Sequence, residues 1–320
     1  MTYNYIKTLT ALALSASAIA CSAALLASPA RAEDKQLTIA MITHAQPGDT
    51  FWDIIRKGAN AAAAKDNVKL LYLSAPEGPK EAQLIQNVID QHVDGIALTL
   101  AFPDAEAPTV KAAIAAGIPI VGFNAGVDQW KGQGLLGYAG QDETVAGRAV
   151  GEQLNKDGAK NVVCLDQQQG ATQLEARCNG IKDTFKGKME VLYATGYDMP
   201  TVKARMQAKL QQDPSIDYVV TLGAPFAPVV LDAIGAAGSS AKVGTFDMSP
   251  VAVDLIANGK LQWAIDQQPF VEGYEAVDMI WLNIKNGDTV GGGQAVLTGP
   301  FFVTKDNAAA VAKYAKAGTR

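Results

Sequence analysis

The chain has 320 residues, of which 48% are hydrophobic and 18% are charged, and this balance excludes an intrinsically disordered or collagen-like protein. The length suggests two domains of about 150 residues each. The formal net charge is −5 and Lys and Arg form no cluster, which argues against nucleic acid and anionic lipid as partners.

The N-terminal segment has the pattern of an export signal. Lys7 precedes an apolar run over about residues 11–26, and Ala30-Arg31-Ala32 forms an A-x-A processing site. We expect cleavage after Ala32, so that residues 1–32 are a signal peptide. A membrane anchor is the first alternative, but serines interrupt the apolar run. Lipid attachment at Cys21 is the second, although Ala18 stands three positions before Cys21, where a large aliphatic residue is expected.

Cleavage after Ala32 leaves two cysteines, Cys164 and Cys178. It also removes Lys7 and Arg31 but no acidic residue, which changes the net charge from −5 to −7. In an oxidising compartment the two cysteines predict one disulfide, with a pair of buried free thiols as the alternative. A cysteine nucleophile or a zinc site is not expected, because the chain has no C-x-x-C motif and only two histidines.

From residue 37 the chain alternates short β-branched runs with longer stretches of helical period. This alternation predicts parallel sheets, so the expected fold class is α/β with two doubly wound parallel-sheet lobes. The first series comprises strand 37–43, helix 51–65, strand 69–73, helix 79–91, strand 95–100, helix 105–116 and strand 119–123. The second comprises strand-like 135–138, helix 144–156, strands 161–165, 189–194, 218–221, 242–246 and 262–265 with helices between them, and a last helix over 272–286.

In open parallel sheets the ligand crevice lies beyond the carboxyl ends of the strands. Carboxylate and amide oxygens accept hydrogen bonds from hydroxyl groups, and an aromatic face covers the C–H side of a sugar ring. Apart from Arg177, no arginine is placed to bind an anionic group, and no glycine-rich turn that could bind one is evident. A neutral polyhydroxylated ligand is therefore predicted. The residues that follow the predicted strands are mostly of these kinds: His44, Asp49, Ser74, Asn124, Gln167, Tyr197, Gly223, Asp247, Asp266 and Gln267.

The helix predicted from residue 51 places two aromatic residues near the crevice. Phe51 begins the apolar stripe and faces the core, whereas Trp52 falls off the stripe and is the stronger candidate for a cleft aromatic. An exposed or loop-packed tryptophan is the alternative. Asp49 is a candidate ligand-binding residue, and it or Thr50 could instead cap the helix.

Three polar residues at later strand ends are further candidates. Asp247 has no capping task, because Ser249 already provides an N-cap for the next helix. Asn124 either binds ligand or holds a left-handed turn. Gln267 lies among polar neighbours, which favours a solvent-accessible site over a position in the core.

Five short segments in this order carry a family resemblance: Thr43-His44 with Asp49-Thr50-Phe51-Trp52, Gly122-Phe123-Asn124, Tyr138-Ala139-Gly140-Gln141-Asp142, Gly244-Thr245-Phe246-Asp247 and Ala264-Ile265-Asp266-Gln267-Gln268-Pro269. Together they resemble the periplasmic ribose-type sugar-binding proteins over about residues 36–305. The resemblance implies a monomeric periplasmic clamshell of the type I binding-protein fold. It also implies no cofactor, a neutral sugar or polyol as ligand, and delivery to an ABC permease.

Matching positions extend the set of candidate ligand-binding residues. The ribose binders have Asp-Arg where this chain has Asn124-Ala125, and their helix arginine aligns with Glu175, two residues before Arg177. These departures make ribose itself a doubtful ligand and favour a different neutral sugar, a polyol or a furanose-like signal. The complete candidate set is Asp49, Phe51, Trp52, Asn124, Gln141, Glu175, Arg177, Tyr197, Asp247 and Gln267.

The resemblance also implies where the chain crosses between lobes. The N-terminal lobe is expected at 33–141 plus 268–298, and the C-terminal lobe at 142–267 plus 299–320. Gly140-Gln141, Gln267-Gln268 and Thr298-Gly299-Pro300 are then hinge candidates. Ordinary turns at these places are the alternative.

Other functions are alternatives to the importer component. A periplasmic sensor that presents its closed form to a chemoreceptor or histidine kinase shares every feature above. A glycoside-processing enzyme would need a carboxylate pair such as Asp49 with Asp247 across the cleft. The segment 132–137 matches G-x-G-x-x-G but opens no helix, so no NAD site is expected. A sugar-responsive repressor would need a helix-turn-helix where the export segment lies.

Overall fold

The structure is a computed structural model that describes residues 35–194, 196 and 198–320. The predicted signal peptide and its cleavage site lie outside these residues, as does Tyr197. All the secondary-structure elements belong to the unit Leu37–Arg320. None of the helices in this part of the chain has the length and apolar character that a membrane span requires.

The strands and helices alternate along almost the whole unit. The strands are β1 Thr38–Thr43, β2 Lys69–Ser74, β3 Gly95–Leu98, β4 Ile120–Phe123, β5 Gly137–Gly140, β6 Asn161–Asp166, β7 Lys188–Tyr193, β8 Tyr218–Thr221, β9 Lys242–Phe246, β10 Trp263–Asp266, β11 Val296–Leu297 and β12 Phe301–Thr304. The helices are α1 Phe51–Lys65, α2 Gly78–Asp90, α3 Pro103–Ala115, α4 Glu143–Lys156, α5 Thr172–Thr184, α6 Met199–Gln212, α7 Phe226–Ala237, α8 Pro250–Ala257, α9 Pro269–Asn286 and α10 Ala308–Ala317. A 3₁₀ turn covers Gly291–Gly293.

The strands form two six-stranded sheets, which confirms the predicted α/β fold class. The first sheet has the order β11-β5-β4-β3-β1-β2, and its paired strands are parallel. The second has the order β12-β10-β9-β8-β6-β7 and is parallel except for β12, which runs antiparallel to β10. We call each sheet with the helices that cover it the first and the second lobe.

Each sheet carries a hydrophobic core on both faces. Ile39 and Met41 of β1 pack in one cluster, and Ala40 and Ile42 pack in another. The second sheet has the same arrangement. Because helices cover both faces, the central strands are continuous apolar runs rather than alternating ones.

Close helix packing in the second lobe sets the position of the site. A Cβ atom on Gly147 of α4 would lie 2.3 Å from the Arg177 carbonyl oxygen and 2.9 Å from the Gly180 Cα atom of α5. Only glycine permits this approach, which places the start of α4 against the middle of α5. The predicted disulfide is confirmed on the same helix: Cys164 of β6 is bonded to Cys178 of α5, with 6.0 Å between their Cα atoms.

The chain passes between the two sheets three times. These passages follow β5, β10 and β11, and the last contains the cis peptide bond Gly299-Pro300. The lobe boundaries predicted from the sequence stay a prediction. Which residues act as hinges stays a prediction.

Candidate functional site

A cleft between the lobes collects polar side chains from the carboxyl ends of the strands. It contains about 430 Å³ of empty space, part of it open to solvent. A crevice in this position is what the topology of open parallel sheets predicts. Seven residues of the candidate set line it: Asp49, Phe51, Trp52, Asn124, Arg177, Asp247 and Gln267.

The first lobe contributes the aromatic side chains. Phe51 and Trp52 begin α1, and both are buried, with their ring centroids 5.3 Å apart and nearly perpendicular. The centroids of the His44 and Trp52 rings lie 4.8 Å apart, with the two rings nearly perpendicular. Asp49 Oδ1 accepts a hydrogen bond of 3.1 Å from the Phe51 backbone N–H. Asp49 therefore stabilises the start of the helix as well as lining the cleft.

Asn124 and Asp247 occupy equivalent places in the two lobes. Asn124 follows β4 with φ 63°, and Asp247 follows β9 with φ 68°. Left-handed backbone is unusual for residues other than glycine, and Asn and Asp tolerate it best. Asn124 thus holds a left-handed turn and also lines the cleft, and its role in ligand binding stays a prediction.

A chain of hydrogen bonds connects the lobes at the base of the cleft. Asn124 Nδ2 donates to Gln267 Oε1 at 3.2 Å and to Glu272 Oε2 at 3.0 Å. Gln267 Nε2 in turn donates to Asp247 Oδ1 at 2.5 Å. Burial raises the pKa of Glu272, against the opposing effect of its hydrogen bond from Asn124. Both amide protons of Asn124 are thus engaged within the protein.

Arg177 is buried, and an ion pair with Glu143 neutralises its positive charge. Its Nε and its second terminal nitrogen donate to the two carboxylate oxygens of Glu143 at 2.7 and 2.9 Å. A further N–H donates to the Leu222 carbonyl oxygen at 2.9 Å, and the guanidinium carbon lies 4.6 Å from the centre of the Phe246 ring. This bidentate pair is the strong form of an ion pair. It cancels the positive charge that an anionic ligand would require.

Asp247 lies 3.9 Å from the Arg177 guanidinium without a hydrogen bond of its own to it. Burial raises the pKa of Asp247 to about 7, although Arg177 and the hydrogen bond from Gln267 act in the opposite direction. The carboxyl group is therefore close to half-ionised at neutral pH. The charge of the Asp247 carboxyl group therefore depends on whether a ligand contacts it.

His44 links the cleft to the interior of the first lobe. Its Nδ1 lies 2.9 Å from Thr99 Oγ1, which donates to Glu81 Oε1 at 2.8 Å. On the other side its Nε2 lies 2.9 Å from Nε2 of Gln173, which belongs to the second lobe. Burial, together with the charge of Arg177, lowers the pKa of His44 to about 3. The imidazole is therefore neutral at pH 7.

The remaining candidate residues lie elsewhere. Gln141 contacts the Glu143 carboxylate at 2.8 Å and so supports the Arg177 pair from outside the cleft. The Glu175 carboxylate accepts from Tyr193 and from the Gly170 backbone N–H, also away from the cleft lining. Tyr197 lies outside the described residues.

Several cleft residues were absent from the candidate set. His44 and Gln167 follow predicted strands but were not selected, whereas Gln173 belongs to a helix and was missed. Its signal was its spacing, because Gln173 and Arg177 are four residues apart and share a face of α5. The others are Gln46, Gln168, Leu174 and Leu222. In the described residues, no group of three or more His, Cys, Asp or Glu is arranged to hold a metal ion.

Comparison with known proteins agrees with this geometry. Residues 39–288 match the periplasmic binding protein domain family. A carbohydrate transporter structure from Acidothermus cellulolyticus 11B, in complex with myo-inositol, is 61% identical with a TM-score of 0.88, covering 89% of this chain and all of that one.

Two curated relatives are more distant. The ribose import binding protein of Bacillus subtilis is 26% identical over 71% of this chain and 75% of its own length. The xylose/arabinose-binding protein of Sulfolobus acidocaldarius is 23% identical over 70% of this chain, and the match spans only 60% of that protein. Because the family match covers most of the sequence, the chain belongs to the periplasmic binding protein domain family.

Proposed function

We propose that this protein is the substrate-binding component of an ABC importer and that it captures a neutral polyhydroxylated ring compound in the inter-lobe cleft. The observation that carries the proposal is the composition of the cleft. Buried amides and a carboxylate face an aromatic pair, and the cleft arginine is neutralised by Glu143. Such a lining accepts hydrogen bonds from hydroxyl groups and covers C–H surface, but it offers an anion no uncompensated charge.

myo-Inositol is the first ligand to test. The carbohydrate transporter that is 61% identical to this chain was solved in complex with myo-inositol. The more distant relatives are named for ribose and for xylose or arabinose, which are neutral as well. These names support an uncharged ligand. They favour a cyclic polyol over a pentose, because this chain is far more similar to the transporter solved with myo-inositol than to the proteins named for pentoses.

Capture follows from closure of the lobes on the ligand. First-lobe Asp49 and Trp52 and second-lobe Asp247 line the same space, so a ligand there contacts both lobes at once. A ligand that interacts with both faces stabilises the closed state by its differential affinity. The closed form is what the permease recognises, and the ligand is released chemically unaltered.

Export to the periplasm and the absence of catalysis belong to the same proposal. Cleavage after Ala32 delivers the chain to the compartment in which an importer collects its substrate. Among the described residues that line the cleft there is no activated nucleophile, and burial keeps His44 neutral rather than poised near pH 7. Mass spectrometry of the exported protein tests the cleavage site directly.

Titration calorimetry of the purified exported protein tests the function. We expect myo-inositol or a closely related neutral polyol to bind with one site per chain, and sugar acids to bind much more weakly. Pentoses and hexoses complete the panel. Binding confined to acids, or a product formed from the bound compound, would overturn the proposal.

A further inference from the structure

Two glutamine side chains of the second lobe line the cleft, and the amide oxygen of each lacks a hydrogen-bond partner among the described residues. Gln167 follows β6 and Gln173 lies in the first turn of α5, and both are more than nine-tenths buried. The Oε1 atom of each has no hydrogen-bond partner among the described residues. A buried acceptor left unpaired destabilises a protein, so two of them at one cleft require an explanation.

The orientation of the Gln173 amide follows from its contact with His44. The Gln173 nitrogen can only donate, so Nε2 of the neutral His44 ring accepts and the ring proton lies on Nδ1. Nδ1 then donates to Thr99 Oγ1, which donates to Glu81. This relay of His44, Thr99 and Glu81 leaves the Gln173 oxygen as the atom presented to the cleft.

Several donors near the cleft are, by contrast, engaged within the protein. Asn124 donates both its protons to Gln267 and Glu272, and Gln267 donates to Asp247. Arg177 donates to Glu143 and to the Leu222 carbonyl oxygen. The amide oxygens of Gln167 and Gln173 are thus acceptors that the cleft offers, whereas the donors named here are already used within the protein. A hydroxyl group satisfies such a surface, whereas the ring oxygen of a pyranose can only accept.

We propose that Gln167 and Gln173 are specificity-determining residues whose amide oxygens accept hydrogen bonds from ligand hydroxyl groups, and that the cleft selects a ring with a hydroxyl on every carbon. This inference rests on the proposed function, because it assigns residues and a ligand class to the same cleft. His44 is a positioning residue that acts through Gln173.

The test pairs side-chain changes with hydroxyl deletions in the ligand. Gln173→Met and Gln167→Met retain the size of the side chain and remove its amide. We expect each to weaken binding of myo-inositol about tenfold to thirtyfold in titration calorimetry. Gln169→Met is the matched control, because Gln169 is exposed in the same loop and does not line this cleft.

A series of mono-deoxy-inositols identifies the interaction. For each glutamine, one deoxy compound should lose affinity with the wild-type protein but show little further loss with the methionine variant. Equal weakening of every compound by the substitution would show a merely structural role and overturn the inference. D-Glucose, which has a ring oxygen, should bind the wild-type protein at least tenfold more weakly than myo-inositol, and equal binding would also overturn it.

A measurement on the wild-type protein removes any dependence on variant folding. The chain has two histidines, so ¹⁵N spectra of histidine-labelled protein contain two imidazoles, with His92 as the reference. We expect the neutral Nδ1–H tautomer for His44, and an Nε2–H tautomer would overturn the assigned amide orientation. If no neutral polyhydroxylated compound binds at all, the proposed function fails. If such compounds bind but both glutamines prove irrelevant, only this inference fails.

Discussion

The two lobes bury glutamates behind the cleft in opposite ways. In the second lobe Glu143 meets the guanidinium of Arg177 in a bidentate pair, and both side chains are almost completely buried. In the first lobe Glu81 and Glu106 are equally buried but interact with each other. No cation among the described residues forms an ion pair with either of them. A carboxyl group that faces another must keep a proton, whereas one that faces arginine need not.

This difference gives the two lobes different responses to mutation and to pH. The second lobe depends on a complete ion pair and is damaged when half of it is removed. The first lobe carries a proton that the unfolded chain releases, so its stability depends on pH. The predictions below separate these behaviours, beginning with the largest expected effect.

Removal of the guanidinium should destabilise the protein most. Arg177→Met leaves Glu143 buried without its partner, which costs about 3–5 kcal/mol in the free energy of unfolding. Chemical denaturation measures this loss. Arg148→Met is the matched control on the same pair of helices, because the Arg148–Asp183 ion pair is about half exposed and contributes at most about 1 kcal/mol. A loss for Arg177→Met no larger than for the control would contradict the role of the buried pair.

Loss of the Asp247 carboxylate should produce the next largest effect, this time on affinity. Asp247→Ala removes an acceptor that two ligand hydroxyls can share, and hydrogen bonds to charged groups are worth about 1.5–3 kcal/mol each. We expect weaker binding of myo-inositol by about 2–4 kcal/mol in titration calorimetry. Asp254→Ala, an exposed change in α8, should leave affinity unchanged. Unchanged affinity in Asp247→Ala would remove this residue from the site.

Asp247 should also make ligand binding depend on pH. Arg177 of α5, Gln267 after β10, Glu143 of α4 and Asp49 before α1 all act on its pKa, which is raised to about 7. Hydroxyl donors favour the ionised form, so binding lowers this pKa and releases a proton. Affinity should therefore rise about thirtyfold from pH 5.5 to 8 and then level off.

The number of protons released is measured by calorimetry in buffers of different ionisation enthalpy. In Asp247→Asn the rise of affinity with pH should disappear. A wild-type protein whose affinity is the same at pH 5.5 and pH 8 would contradict this prediction.

The acid pair of the first lobe should affect stability rather than affinity. Burial raises the pKa of Glu106 to about 7, above its ordinary value of 4.5, and burial together with the charge of Glu106 also raises the pKa of Glu81. The folded protein then holds a proton that the unfolded chain has released, so stability falls as pH rises through this range. Glu106→Gln replaces the carboxyl group by an amide, which is neutral at every pH and needs no proton to be buried.

We expect Glu106→Gln to be more stable than the wild type by about 1–3 kcal/mol above pH 8. Below pH 4.5 this advantage should vanish. Denaturation curves at several pH values measure the difference, with exposed Asp104→Asn on the same helix as the control. The same advantage at every pH would show that packing, and not the proton, is responsible.

The sequence predicts the architecture well because the fold depends on local periodicity. Apolar runs covered on both faces and helical stripes repeat at regular intervals, and the strand ends then indicate where polar residues meet. β11 and β12, which lie at the edges of the two sheets, were missed. α10 was missed as well.

The site was predicted only in part because its networks are formed by packing. Glu143 is in sequence the acidic first turn of a helix, and its pairing with Arg177 exists only because Gly147 and Gly180 bring α4 against α5. Glu81 and Glu106 likewise belong to two different helices, and no spacing relates them. Contacts between distant segments of this kind leave no periodic signal.

The burial of Trp52 also depends on packing that the sequence pattern does not show, and substitution of Trp52 has the smallest predicted effect. Its place off the apolar stripe suggested a side chain outside the core, yet it is buried against Phe51 and His44 while lining the cleft. Trp52→Leu keeps apolar surface but loses the aromatic face, so we expect affinity for myo-inositol to fall by about 1 kcal/mol. The intrinsic fluorescence change on ligand binding should also decrease. Trp281→Leu, a half-buried change in α9 away from this cleft, should alter neither affinity nor the ligand-induced signal. If Trp52→Leu binds as tightly as the wild type, the ligand makes its apolar contact with Phe51 instead.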